Sequence, residues 1–295
     1  MAGDLVSSLD DHEVRALLQK YGVTPTRKAG QSFLKDIRVA QSIVDAAELS
    51  RTDSVLEIGG GLGILTQKLA QAAGHVRVIE LEPRLVKALN DACSDLTNVE
   101  IVQGDALQVE LGTCDRVVSN LPYSISSEVT FRLLRECNFG FAVLMYQKEF
   151  AQRLVASPGG SDYSRLTIDF NYLGSADWVM DVHADRFYPR PAVNSAVLRV
   201  TRREGRPRAQ DQDSFFWMVH GLYSYPNKQL GKAASIWFRL LGMEKSDVEH
   251  WWAALDSKVD TSTRLRNLTQ EDLIVLADGI YRLVQEGVLH VPESK

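Results

Sequence analysis

Apolar and polar positions follow two regimes along this chain. From about residue 53 to about residue 201, short apolar runs alternate with amphipathic stretches. The runs predict strands over 53–58, 75–80, 99–102, 115–119 and 141–147, with a helix after each. Pro83 fits the first turn of the helix that carries Leu85, Val86 and Leu89. Such alternation predicts an open α/β fold built on a parallel sheet. Two further runs, near 166–173 and 193–201, lack a strong helix between them. They are predicted as strands that add an antiparallel, hairpin-like edge. Beyond Arg208 the period becomes helical, over 215–223, 228–241, 247–255 and 270–286, which predicts a small all-α domain. Before the α/β region, residues 10–21 read as a short amphipathic helix (Val14, Leu17, Leu18) and 24–30 as a basic loop. The chain thus divides into an N-terminal helix and basic arm (1–30), an α/β domain (31–204) and a helical domain (205–295), with 202–213 as the linker. No internal repeat is present.

The first strand runs through Val55, Leu56 and Ile58 into Gly59, Gly60, Gly61 and Gly63. A helical stripe follows (Ile64, Leu65, Leu69, Ala72), with Gly74 as its stop. Glycines there let a ligand approach the backbone, and the helix N-terminus favours negative charge. The second strand ends in Glu80, about 20 residues past the loop, the distance at which a carboxylate takes ribose hydroxyls in a βαβ nucleotide site. A dinucleotide fingerprint needs glycine at the sixth position of G-x-G-x-x-G. Counting from Gly59 that position is Ile64, and the spacing is instead Glu-x-Gly-x-Gly-x-Gly from Glu57 to Gly63. No Gly-Lys-Ser/Thr follows, so a phosphate-binding P-loop is excluded.

The fourth strand stops at Asn120-Leu121-Pro122-Tyr123. An Asn amide oxygen can accept from an exocyclic amino group. Proline removes a backbone donor and fixes the turn, and tyrosine offers a face for stacking. Together they can hold a flat, amine-bearing ring. A plain strand end and turn would use the same residue types. The glycine loop upstream favours the ring-binding reading. In an open α/β sheet, ligands bind beyond the carboxyl ends of the strands. The loop, Glu80, Asp105 and Asn120 sit at four such ends, so they face one crevice.

Composition changes the picture little. The chain has 295 residues, 45% apolar and 24% charged, as expected of a soluble globular protein of two unequal domains. No apolar stretch is long enough to cross a bilayer and no signal peptide is evident, so a cytoplasmic protein is expected. Three cysteines, Cys93, Cys114 and Cys137, stand far apart without a Cys-x-x-Cys pair. They predict neither a disulfide framework nor a zinc site, and no metal is expected. Net charge is −5, which argues mildly against nucleic acid, but the distribution is uneven. Between 185 and 239 there are ten Lys/Arg against four acids, a local +6. Residues 20–38 add Lys20, Arg27, Lys28, Lys35 and Arg38 against Asp36. Such patches can bind a phosphate backbone.

These motifs together resemble the class I S-adenosylmethionine-dependent methyltransferases. The carriers are the loop from Glu57 to Gly63, Glu80, Gly104-Asp105-Ala106 and Asn120-Leu121-Pro122-Tyr123. Gly30-Gln31-Ser32-Phe33-Leu34 and the run from Phe187 to Ser195 (Phe-Tyr-Pro-Arg-Pro-Ala-Val-Asn-Ser) narrow the resemblance to the ribosomal RNA adenine N6-dimethyltransferases. It covers about residues 25–200. It implies a Rossmann-like, seven-stranded sheet with helices on both faces, S-adenosylmethionine as cofactor, and an adenine amine as acceptor. Gly59, Gly61 and Gly63 in the loop after Glu57 would take the methionine part of the cofactor and Glu80 its ribose. Asp105, beside Ala106, would take its adenine amine, while Gln31, Ser32 and Leu34 close over the site. The acceptor amine would be gripped by the Asn120 side chain and the Leu121 or Pro122 carbonyl, with Tyr123 and Phe187 stacking on either face of a flipped base.

The resemblance further implies two adjacent adenosines near the 3′ end of small-subunit ribosomal RNA in a pre-30S-type particle, and a monomer. Two departures stand out. Ser32 replaces the family's usual Asn, and 226–232 lacks its Arg-Arg-Lys cluster, with Asn227-Lys228 closer to the archaeal form. The site is shared with the large-subunit adenine methyltransferases of the macrolide-resistance type. A non-catalytic RNA-binding factor on the same fold is the reading from another class. DNA adenine methyltransferases usually carry proline where Leu121 stands.

Overall fold

The computed structural model describes residues 8–25, 31–203, 207–255 and 259–291. Of the basic arm, Arg27, Lys28 and Gly30 lie outside the described residues, as do Glu204, Gly205 and Arg206 of the predicted linker.

Contacts divide the chain into two units: residues 1–151 with 174–202, and residues 152–173 with 203–295. The first unit holds a seven-stranded sheet. Its strands are β2 (Ser54–Ile58), β3 (His75–Glu80), β4 (Val99–Gln103), β5 (Arg116–Asn120), β6 (Phe141–Gln147), β7 (Gly174–Val182) and β9 (Ser195–Arg202). They lie in the order β4-β3-β2-β5-β6-β9-β7. The first five run parallel, β9 is antiparallel to β6, and β7 is antiparallel to β9. Two short strands, β1 (Phe33–Leu34) and β8 (Phe187–Tyr188), form a separate antiparallel pair.

Both faces of the central strands are covered. Phe141 to Tyr146 are buried without a break, the pattern of a sheet packed on two sides. One face, with Val55, Val76, Val143 and Met145, packs on Ala40 and Ile43 of α2 (Ile37–Ala46) and Leu69 of α3 (Ile64–Ala72). On the other, Tyr146 shares a hydrogen bond of 2.9 Å with Thr130 of α5 (Ser126–Glu136). Each fully buried Leu or Val here contributes about 1.5–3 kcal/mol. Helix α4 (Pro83–Ala92) starts at Pro83 as expected. Helix α1 (Asp11–Lys20) opens with a reciprocal capping box between Asp10 and Glu13. Its Val14 and Leu18 join Phe33, Leu62 and Leu85 in a second apolar cluster.

The second unit is helical. Helix α6 (Lys148–Leu154) ends at its start. Next come α7 (Arg165–Leu173), α8 (Gln212–Leu222), α9 (Leu230–Leu240), α10 (Lys245–Ala254) and α11 (Gln270–Gln285). Tyr172 of α7 stacks on Phe215 of α8 with centroids 4.0 Å apart. Trp251 of α10 is buried and donates its indole N–H to the Leu276 carbonyl of α11 at 3.2 Å.

Three sequence expectations need correction. Residues 166–173 are helix, not strand, and the edge strand is 174–182. Leu166, Ile168, Phe170 and Tyr172 alternate like a strand, but α7 is buried on most of its circumference, so its pattern loses the helical period. The boundary at 204/205 is also incomplete, because 152–173 groups with the C-terminal helices. Finally, β4 is followed by turns and not by a helix. No helix among the described residues is long and apolar enough to cross a membrane.

Candidate active site

Beyond the carboxyl ends of β2, β3, β4 and β5 lies a cavity of about 320 Å³. Its wall includes Gln31, Ser32, Leu34, Glu57, Gly59, Gly61, Glu80, Asp105, Ala106, Asn120, Leu121, Pro122 and Tyr123. Of the residues singled out from sequence, only Gly63 and Phe187 stand outside it. Gly63 is the N-terminal cap residue of α3 and lies against Ala92, where a Cβ would approach to 3.2 Å. Phe187 is 1% exposed and belongs to the core that includes Leu34 and Ile43. The expectation that it faces the base is corrected: its ring packs inward from β8. An aromatic before a Pro-containing turn reads alike in both roles.

The glycine loop and the Asn-Leu-Pro-Tyr turn are fitted to one another. A Cβ on Gly59 would stand 3.0 Å from Pro122 Cγ, and Gly59 has φ +78°. Gly61, at φ +57°, would meet the Phe33 ring at 3.3 Å. Only glycine adopts these angles without strain and leaves the backbone open to the cavity.

Glu80 is buried, and its carboxylate accepts from the Gly61 N–H and the Glu82 N–H, each at 3.0 Å. Burial nevertheless raises its pKa. Glu57 is 1% exposed and accepts the Thr66 hydroxyl at 2.7 Å. Its pKa is pushed up to about 8, chiefly by burial, with the nearby Glu80 charge adding to the rise. Asp105 accepts from the Leu107 N–H at 2.9 Å and stays half-buried at the wall.

Asn120 ends β5 with its side-chain oxygen buried and without a hydrogen-bond partner among the described residues. An orphaned buried acceptor on a cavity wall costs about 1–3 kcal/mol unless a donor from outside the chain meets it. The Pro122 carbonyl accepts from the Ile125 N–H at 3.1 Å. The Tyr123 hydroxyl shares a 2.6 Å hydrogen bond with Ser195 Oγ at the start of β9, fixing the ring beside the cavity. Ser119 donates to the Ile58 carbonyl at 2.6 Å and ties β5 to β2 directly below.

Sequence reasoning missed the apolar part of the wall, notably Leu62, Leu81 and Leu85. Leu81 is 63% exposed in the structure, and the sequence offers only an apolar residue directly after the strand-end acid, which marks no exposure by itself. The chain holds together what a purine nucleoside with a charged tail requires: an open backbone loop, carboxylates at two strand ends, an apolar wall and an unpaired acceptor.

The parallel sheet with its two-strand antiparallel edge and this crevice define a Rossmann-like methyltransferase. The chain belongs to the ribosomal RNA adenine dimethylase family, whose model matches residues 24–277. The cofactor of such methyltransferases is S-adenosylmethionine. A protein of Methanosarcina mazei named "Probable ribosomal RNA small subunit methyltransferase A" is 43% identical over 273 residues, 92% of this chain and 98% of the relative. One of the same name from Thermococcus sibiricus is 37% identical over 261 residues, 88% of this chain and 94% of the relative. Among solved structures, a dimethyladenosine transferase from Plasmodium falciparum aligns with TM-score 0.73 and 28% identity, covering 86% of this chain and 98% of that one. The 23S rRNA methyltransferase ErmE aligns with TM-score 0.62 and 28% identity, over 84% and 99%.

Proposed function

We propose that this chain transfers methyl groups from S-adenosylmethionine to N6 of two adjacent adenosines near the 3′ end of small-subunit ribosomal RNA, leaving N6,N6-dimethyladenosine during ribosome assembly. The observation that carries the reading is the buried Asn120 oxygen, which has no partner among the described residues, on a residue of the cavity wall. The small-subunit names of the relatives support the choice of RNA.

When bound, the cofactor supplies a sulfonium-borne methyl group as electrophile. The open loop from Gly59 to Gly61 and the carboxylate of Glu80 hold its methionine and ribose parts, and Asp105 its adenine amine. An adenine amine is a weak nucleophile because its lone pair is delocalised into the ring. Asn120 Oδ1 and the Leu121 carbonyl accept its two N–H groups, which favours a pyramidal nitrogen with its lone pair free. The same two dipoles stabilise the positive charge that develops on that nitrogen. Tyr123, locked by Ser195, stacks on the base for about 1–3 kcal/mol. No side chain is needed as a general base, because a methylated adeninium nitrogen is strongly acidic. After the first transfer one N–H remains, and Asn120 Oδ1 alone suffices to orient it. In this reading the enzyme is a cytoplasmic monomer that uses no metal and meets its substrate in a pre-30S-type particle.

Isolated small and large ribosomal subunits lacking the modification, each incubated with the protein and methyl-labelled cofactor, test the proposal. Label is expected in the small subunit. Label confined to the large subunit would transfer the assignment to the chemistry named for ErmE.

A further inference from the structure

Two of the three cysteines, distant in sequence terms, meet in space. Cys114 stands two residues before β5, and Cys137 follows the last residue of α5. Strand and helix are consecutive and return on one another, so their outer ends converge. The two Sγ atoms are 3.9 Å apart. Cys114 is partly exposed and Cys137 is 1% exposed. The surroundings hold the pair in place. The Cys114 N–H donates to the Asn138 carbonyl at 3.1 Å. The Arg202 guanidinium donates to the Cys137 carbonyl at 3.3 Å and to Asn138 Oδ1 at 3.2 Å. Neither sulfur lines the cavity, and the methyl-transfer chemistry uses neither.

We propose that Cys114 and Cys137 form an oxidisable dithiol, a site of reversible modification by hydroperoxides. The hydrogen bond between the two sulfurs holds the Cys137 thiol below its usual range, with the Arg202 charge adding to the effect, and pushes the Cys114 thiol well above it. Cys137 is therefore the member that presents the thiolate, while the partly exposed Cys114 keeps the proton. That thiolate attacks one peroxide oxygen, the O–O bond breaks, and a sulfenic acid forms with release of water. The Cys114 sulfur then attacks the sulfenic sulfur. The S–O bond breaks, the S–S bond forms, and a second water leaves with the remaining thiol proton. In sum two thiols and one hydrogen peroxide give one disulfide and two waters, a two-electron oxidation. The sulfurs must close from 3.9 Å to about 2.05 Å. The resulting loop encloses β5, the turn from Asn120 to Tyr123, and α5. Cys93 has no part in it: it is buried away from the pair and its thiol is pushed up to about 11 by burial.

Full-length protein treated with hydrogen peroxide tests the proposal. Thiols counted under denaturing conditions are expected to fall from three to one, and the intact mass to fall by about 2 Da. One cross-linked peptide pair should contain residues 114 and 137, and dithiothreitol should restore all three thiols. The thermal midpoint should rise on oxidation and return on reduction. Cys114→Ser, at the exposed member, should abolish the cross-link, and Cys93→Ser should keep it. The proposal is overturned if the wild type gives only sulfinic or sulfonic products, if the link is intermolecular or includes Cys93, or if Cys114→Ser still loses two thiols.

Discussion

Asn120 lines the cavity and its buried Oδ1 accepts from nothing among the described residues, so in the proposed mechanism its value lies in what it does for an incoming amine. Asn120→Ala is expected to lower turnover about 100-fold or more while cofactor affinity moves less than about threefold. Parallel measurement of kcat and of cofactor binding by calorimetry checks this, and equal losses in both would contradict it. Glu57 behaves differently. Its folded pKa of about 8 lies above the ordinary 4.5, so the folded protein binds a proton that the unfolded chain releases. Stability of the ligand-free protein is therefore greatest below about pH 4.5 as far as this group is concerned, and falls as pH rises toward 8. Glu57→Gln should flatten that slope, by at most about 5 kcal/mol across the window, in thermal melts run from pH 5 to pH 9. At this scale the sequence was informative where a residue type has few other uses. Four glycines in five positions are such a case. Phe187 was not legible, because a core aromatic and a stacking aromatic have the same composition and neighbours.

Among the elements, the short β1–β8 pair matters most to the site, since β1 follows directly from Gln31 and Ser32. Asp36, 2% exposed, anchors it: Oδ2 accepts from Arg186 Nη1 at 2.8 Å and from Arg38 Nη2 at 3.2 Å, while Oδ1 caps α2 through the Arg38 N–H at 2.9 Å. Arg38 is exposed and Arg186 partly so, so the pairs are screened; Asp36→Asn is expected to cost about 1–2 kcal/mol of stability. Cofactor Kd should rise with it, read by calorimetry at a temperature where the variant remains folded. An unchanged Kd would show that the strand pair does not hold the wall. Neither two-residue strand could be read from sequence, since each is too short for a periodicity. Helix α7 was misread for the opposite reason: burial around most of its surface made a strand-like alternation. Strand β7 was hidden because it begins at Gly174 and, as an edge, carries Asp177 and Asp181 among apolar residues.

For the whole molecule, sequence order located the α/β unit and the C-terminal helices but not the excursion of 152–173 into the helical unit, which depends on tertiary contacts alone. Net charge was similarly coarse. Of the arginines in the +6 segment, Arg186 pairs with Asp36, Arg199 with Glu48, and Arg203 is buried with its guanidinium on the Asn171 carbonyl. In the N-terminal segment Lys20 pairs with Asp91 and Lys35 with Asp11. Arg190, Lys228, Lys232 and Arg239 pair with no carboxylate among the described residues, and in the proposed function they are the RNA contacts to test. RNA affinity should fall steeply with salt, and Lys228→Ala with Lys232→Ala should reduce the log–log slope by about 1.5–2. An unaltered slope in filter binding from 50 to 200 mM salt would remove that surface from the account.

The central claim is that an adenine amine, held by Asn120, receives two methyl groups. Mass mapping of ribosomal RNA nucleotides tests it most directly, after under-methylated small subunits have reacted with the protein and S-adenosylmethionine. The account predicts two adjacent adenosines near the 3′ end, each heavier by two methyl groups on N6, and none with the Asn120→Ala protein. Methylation at another base or another atom, or full dimethylation by that variant, would contradict it.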